Sequence, residues 1–143
     1  MPHESSSVLE NVALDAFEQL GFLLADPEPA ETTGPLHGMR VAFRGPVAGT
    51  LDVWADETLL ETLAMNMTGG DEPPGRDVQM DALGEMANVI CGNVLPTLED
   101  PGAVFRLDAP AALGDPPADC GCASVRLGFE GGIVRVDYTR GVS

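Results

Sequence analysis

There is no lysine in this chain; all seven cations are arginine, set against 23 acidic residues. The resulting net charge of −16 has the wrong sign for neutralising phosphates, which takes clustered Lys and Arg. Nucleic acid is therefore excluded as a partner, and an anionic membrane surface would repel the chain. A Gly-rich phosphate loop is ruled out as well, because its mechanism needs a lysine. Histidine is scarce: His3 near the start and His37 in a predicted loop leave little for a Ser-His or Cys-His nucleophilic pair. The three cysteines, Cys91, Cys120 and Cys122, are odd in number and sparse, which argues against a disulfide framework. Only Cys120-Gly121-Cys122 forms a tight pair, whereas structural zinc wants two, and Cys91 reads as a small core residue. No apolar run approaches the roughly 18 residues that span a bilayer. The N-terminal "MPHESSSVLENV" lacks the basic and apolar regions of a secretory signal. The expected location is the cytoplasm.

What remains is a chain of 143 residues, 44% apolar, which fits one domain over residues 1–143 with one core. Apolar positions recur at helical spacing from Ser5 to Leu20, namely Leu9, Val12, Ala13, Ala16, Phe17 and Leu20, and Gly21 is the expected C-cap. "FLLADPEPAETTGPLHG" reads as a short strand running into a loop. "MRVAFRG" alternates with Met39, Val41 and Phe43 on one face, "GTLDVWA" with Leu51 and Val53, and the "GPVAG" between them predicts a hairpin. A second helix begins after Asp56 as its cap, shows Leu59, Leu60, Leu63, Ala64 and Met67 on one face, and stops at Gly69-Gly70. A third covers about residues 77–95, limited by Pro96. "AVFRLDAP" is a strand candidate, "AALGDPPADCG" a loop, and "ASVRLGFEGGIVRVDYTR" a last hairpin around Gly131-Gly132. The order, one helix, about three strands, two helices and about three strands, is an α+β pattern.

The third helix carries the one feature with chemistry to follow. In "MDALGEMANVICGN", Asp81, Glu85 and Asn88 stand four and then three residues apart and fall in a stripe about 60° wide. Its flanks are apolar: Met80, Leu83, Ala87, Ile90 and Val94 on one side, Ala82, Met86 and Val89 on the other. It contains no cation and ends in Gly92. Neighbours three or four apart on a helix lie about 5–6 Å apart, so Glu85 and Asn88 can grip one target together. A carboxylate accepts from a cation, and a carboxamide both donates and accepts. Spacing alone leaves the plainer alternatives open: an exposed polar stripe, or a pair of core hydrogen bonds. Asp81 and Glu85 as an acid/base pair is a further possibility, but no pocket for a small substrate is legible.

With these residues in place, the chain resembles the CheX branch of the CheC/CheX/FliY chemotaxis phosphatases. Their signature is an acidic or hydroxyl residue, three positions, Glu, two positions, Asn, then 21 or 22 residues to a Pro. Here that reads Asp81, Glu85 and Asn88 in "DALGEMAN", and 21 residues separate Asn88 from Pro110 in "FRLDAP". "NVICGN" after the stripe and "FRGPVAGTLDVWADETLLETLA" before it are similar to that family in the same order, and the likeness covers about residues 5–140. The second Glu-x-x-Asn helix of two-site members is missing: Glu10 is followed three later by Ala13, and Glu18 by Gly21.

The resemblance implies an α+β fold with a sheet of about six strands packed against long helices, commonly as a homodimer. It implies a phosphatase that speeds hydrolysis of the aspartyl phosphate on a CheY-like response regulator. Asn88 would orient the attacking water and Glu85 would pair with the regulator's Lys. Asp81, Gly92 and Pro110 would support them: Asp81 at the helix start, Gly92 by leaving room for close approach, Pro110 by shaping its strand. The chain would hold no cofactor of its own, the regulator bringing Mg²⁺. The competing expectation is a non-catalytic CheX-like module that keeps the fold and binds a signalling or motility partner. A flagellar-switch component is a weaker reading, for which added domains would be expected.

Overall fold

Helical and alternating apolar patterns become two layers in the computed structural model, which describes residues 2–26, 35–70, 72, 74–116, 123–130 and 132–141. Helix α1 spans Pro2–Gln19 and buries Leu9, Ala13, Ala16 and Phe17. Strands β1 (Leu36–Arg44) and β2 (Gly49–Asp56) form the expected antiparallel hairpin. Helix α2 (Glu57–Thr68) and helix α3 (Arg76–Leu98) follow. Two short strands, β3 (Arg106–Leu107) and β4 (Ala111–Leu113), both pair with β1. The hairpin of β5 (Ala123–Phe129) and β6 (Gly132–Arg140) closes the chain. The sheet has six strands in the order β3-β1-β2-β6-β5, with β4 on the same edge of β1 as β3. All three helices pack over this sheet, α3 touching β1, β2 and both other helices. The α+β architecture is therefore the one expected.

Local chemistry sets several boundaries. The Asp56 carboxylate accepts from the Leu59 N–H at 3.0 Å and caps α2, while its other oxygen accepts from Ile133 N–H at 3.1 Å. One carboxylate thus starts a helix and ties it to β6. Gly69, at φ 73°, takes the left-handed residue that ends α2.

Other expectations need correction. Gly21 is not a left-handed cap; Phe22 takes that conformation at φ 53°. Gly21 serves close packing instead, since a Cβ there would stand 2.7 Å from Leu63 Cδ1 and 2.8 Å from the Phe17 carbonyl oxygen. Leu20, expected on the apolar face, is exposed. The strand expected after Gly21 is reduced to a single bridge, Ala25 to Phe129. Pro96 does not end α3, which runs on to Leu98. The lost N–H would have bonded the carbonyl of Gly92, which is exposed and open to water, so the last turn tolerates the proline. "AVFRLDAP" is strand only at Arg106–Leu107, and the predicted loop after it contains β4. Cys120 and Cys122 lie outside the described residues.

Strand β2 differs from the expected alternation most. Its second face is buried too, with Thr50, Asp52 and Trp54 below 9% exposure beside Leu51 and Val53. Both buried carboxylates there are engaged: Arg40 donates to Asp52 at 2.8 Å, and Arg135 at 2.9 Å and Ser124 at 2.6 Å both donate to Asp137 Oδ1, while Asp137 Oδ2 and the Trp54 indole N–H find no partner among the described residues. Trp54 lies flat over Gly38, where any Cβ would come within 2.4 Å of its ring.

Cys91 is buried in the core beneath α3, as expected, and burial pushes its thiol from 9.0 up to about 12. Burial, followed by the hydrogen bond to Glu99, also raises the Tyr138 phenol. Both groups fold as neutral acids, and in the unfolded chain both lose their protons at lower pH than in the native state. The stabilisation is complete below pH 9 and is lost as pH climbs from about 9 towards 12. Denaturant melts across that range are expected to show stability falling from pH 9 upward, with a shallower fall in Cys91→Ala. An identical slope in that variant would count against the buried thiol as a contributor.

Candidate functional site

Helix α3 opens at Arg76 behind Gly75, which offers no side-chain cap. Buried Gln79 secures this start by donating from its backbone to Gly75 at 3.1 Å and from Nε2 to Pro74 at 2.9 Å. Along the helix, Leu83, Met86, Ala87, Ile90, Cys91 and Val94 are fully buried. Asp81, Glu85, Asn88 and Gly92 face outward. The stripe is narrow because α1, α2 and the sheet cover the rest of the circumference.

Tertiary structure adds what spacing could not. Asp81, Glu85 and Asn88 share one open depression of about 340 Å³ with Gly84, Met39 and Pro110. Pro110 stands between β3 and β4, exposed, and the pairing of Arg40 with Ala111 and Met39 with Ala112 holds it on the edge of β1 that faces α3. It packs on Gly84, where a Cβ would sit 3.0 Å from Pro110 Cβ and 3.1 Å from Met39 Cε. So Pro110 does touch the site, as a wall beside the stripe, rather than shaping a strand at a distance. Gly84 and Met39 were missed by sequence reasoning; a glycine in the middle of a helix, costly relative to alanine, was the available signal.

Gly92 lies one turn beyond Asn88 and outside the depression; a Cβ there would meet nothing within 4 Å. Asp81 is not at the helix start: the first turn holds Asp77, which takes the favourable macrodipole position. Asp77 continues the line of the stripe, four residues before Asp81, and is exposed. Among the described residues none bonds to the side chains of Asp81, Glu85 or Asn88. The nearest cation along the helix, Arg76, is engaged by Glu57 and lies 2.8 Å and 3.0 Å from the ring nitrogens of His37. Among the described residues no group of three or more His, Cys, Asp or Glu side chains is placed to hold a metal ion. The arrangement is an acid and an amide, unpartnered, at the rim of a shallow and partly apolar hollow. Such a surface can bind and orient; by itself it encloses no small substrate.

A family profile described as chemotaxis phosphatase CheX matches residues 38–126, well over half of the chain and all of this site. The chain belongs to the CheX family. The fold agrees: CheX of Desulfovibrio desulfuricans superposes with a TM-score of 0.73 at 17% identity, covering 96% of this chain and 99% of that one. CheX of Vibrio vulnificus gives 0.69 at 17% identity, covering 98% of each chain. CheX of Borrelia burgdorferi, in a complex with CheY, BeF3 and Mg²⁺, gives 0.65 at 18% identity, covering 95% and 97%. Comparison with curated protein sequences returns no match. In this CheX-family chain, α1 carries no second Glu-x-x-Asn: the position three after Glu10 is Ala13, which is wholly buried in the core. No helix among the described residues is long and apolar enough to cross a membrane.

Proposed function

We propose that this chain accelerates hydrolysis of the aspartyl phosphate on a CheY-like response regulator, working at a site that neither protein completes alone. The observation that carries the reading is the pair Glu85 and Asn88, exposed and unpartnered in one depression that has neither cation nor metal set among the described residues. Phosphoryl transfer depends on positioning and electrostatics, and a water-orienting amide is a recurrent solution. Asn88 orients a water in line with the phosphorus, doing no acid/base work. Glu85 pairs with the regulator's Lys and registers α3 on its target. Mg²⁺ and most of the charge stabilisation come with the regulator, in keeping with the CheX–CheY complex of Borrelia burgdorferi, which contains BeF3 and Mg²⁺. Asp81 and Gly92 support the approach of the regulator rather than the chemistry. The reaction places the chain in the cytoplasm, and assembly as a homodimer is part of the same proposal; a monomer mass by light scattering at micromolar concentration would remove that part.

The test is the decay of phosphate on purified response regulators of the same genome, with and without this chain. Acceleration at substoichiometric chain is expected. No acceleration with any of them, from a folded chain, would turn the reading towards a binding module that changes no decay rate. Glu85→Gln keeps the shape and removes the charge. Loss of one charge-assisted contact corresponds to roughly a tenfold rise in KM for the phosphorylated regulator, with a smaller change in kcat. An unchanged KM would remove Glu85 from the pairing role.

A further inference from the structure

Gly84 breaks a local rule that the rest of α3 obeys. It sits in the interior of a 23-residue helix, where glycine is the poorest choice after proline. Its φ is not in the left-handed region, so no turn requires it. Nor is it there for want of a neighbour: the space a Cβ would take is filled by Pro110 Cβ at 3.0 Å, Met39 Cε at 3.1 Å and Pro110 Cγ at 3.4 Å. The helical period puts Asp81 one turn before Gly84 and Asn88 one turn after it, on the same ridge. The contact between Pro110 and Gly84 therefore falls between the two polar residues, and all of them line one depression.

We infer that Gly84 is a positioning residue of the site: by lacking a side chain it lets Pro110 and Met39 close onto α3, forming the wall that limits where the Asn88 carboxamide can point. The inference rests on the phosphatase reading above. Pro110 comes from an exposed connection between two short strands, so its place depends on what it leans against. A methyl group at 84 meets two ring carbons of a rigid proline and one flexible methionine end. Met39 can swing aside, whereas Pro110 must shift by a few tenths of an ångström and take the wall with it. A water-orienting amide is sensitive to displacements of that size, because a near-attack geometry off by 1 Å costs on the order of 100-fold.

The experiment compares Gly84→Ala and Pro110→Ala with the parent, using phosphate decay on the regulator and ¹⁵N spectra of the Asn88 side-chain amide. Gly84→Ala is expected to lower kcat about five- to tenfold, a fraction of that limit, with KM nearly unchanged, and to move the Asn88 amide resonances. Pro110→Ala is expected to do the same more weakly. The double variant should be no slower than the slower single one, since both act through one contact. Parent-like kcat and unmoved Asn88 resonances in a folded Gly84→Ala would overturn the inference. If Gly84→Ala does not fold, the decision passes to Pro110→Ala, where an unaltered kcat and spectrum would overturn it equally. A parent chain that fails to accelerate decay, or an Asn88→Ala as fast as the parent, would sink the phosphatase reading instead. The two failures are thus distinct.

Discussion

Asn88→Ala is expected to lower accelerated dephosphorylation of the regulator by about 100-fold or more, the scale seen when one preorganised hydrogen-bonding group is removed from a transition state. The chain should remain folded. Asn88 is exposed, and among the described residues no hydrogen bond engages its side chain, so its loss should fall within about 0.5 kcal/mol of neutral. Alanine is also a better helix residue than asparagine. The measurement pairs a decay time course with a denaturant melt of the same preparation. A large kinetic loss with an unmoved melt would place Asn88 in the chemistry. Undiminished activity would remove it. Binding of the phosphorylated regulator should survive, because Glu85 and the apolar wall remain. That split separates orienting a water from docking a partner.

Leu83→Ala should have the opposite phenotype from five residues away on the same helix. Leu83 is fully buried beneath the stripe, in the core shared by the helices and the sheet. Deleting a buried leucine side chain costs the lost transfer energy plus the cavity left behind, about 2–5 kcal/mol. Native domains are stable by roughly 5–15 kcal/mol, so this is a large fraction of the whole. Urea melts should show the midpoint falling with little change in slope. The folded fraction that remains should keep the parent's kcat, because the outward face is unaltered. A cost below about 1 kcal/mol would mean that the site collapses freely around the missing side chain, contrary to its packing. One helix would then show its two functions on two faces: burial holds the fold and exposure meets the partner.

Some features of this chain were settled by local pattern. The 3.6-residue period put Asp81, Glu85 and Asn88 on one line of α3, and their exposure follows from the apolar residues flanking them, which the fold had to bury. Asp56 and Gly69 marked the ends of α2 because capping is chemistry within a few residues. The alternation of Met39, Val41 and Phe43 fixed the inward face of β1. The order of elements, with the long-spaced Asp–Glu–Asn–Pro pattern, was enough to indicate the CheX resemblance.

Tertiary structure alone decided the rest. Which face Pro110 meets depends on β4 pairing with β1 at Arg40 and Ala111, a register between segments about 70 residues apart that no local periodicity encodes. The burial of Asp52 and Asp137 on the second face of the sheet became possible only once Arg40 and Ser124 arrived from neighbouring strands to bond them, with Arg135 two residues before Asp137 on β6 adding a third donor. A glycine at 84, in the interior of a helix, is explained only by Pro110 and Met39, which fill the space of its absent side chain. The sequence determined which groups stand on one ridge of α3, since that follows from backbone geometry within a single element. What walls that ridge, and leaves Glu85 and Asn88 at the edge of an open hollow, is set by long-range packing among separate elements.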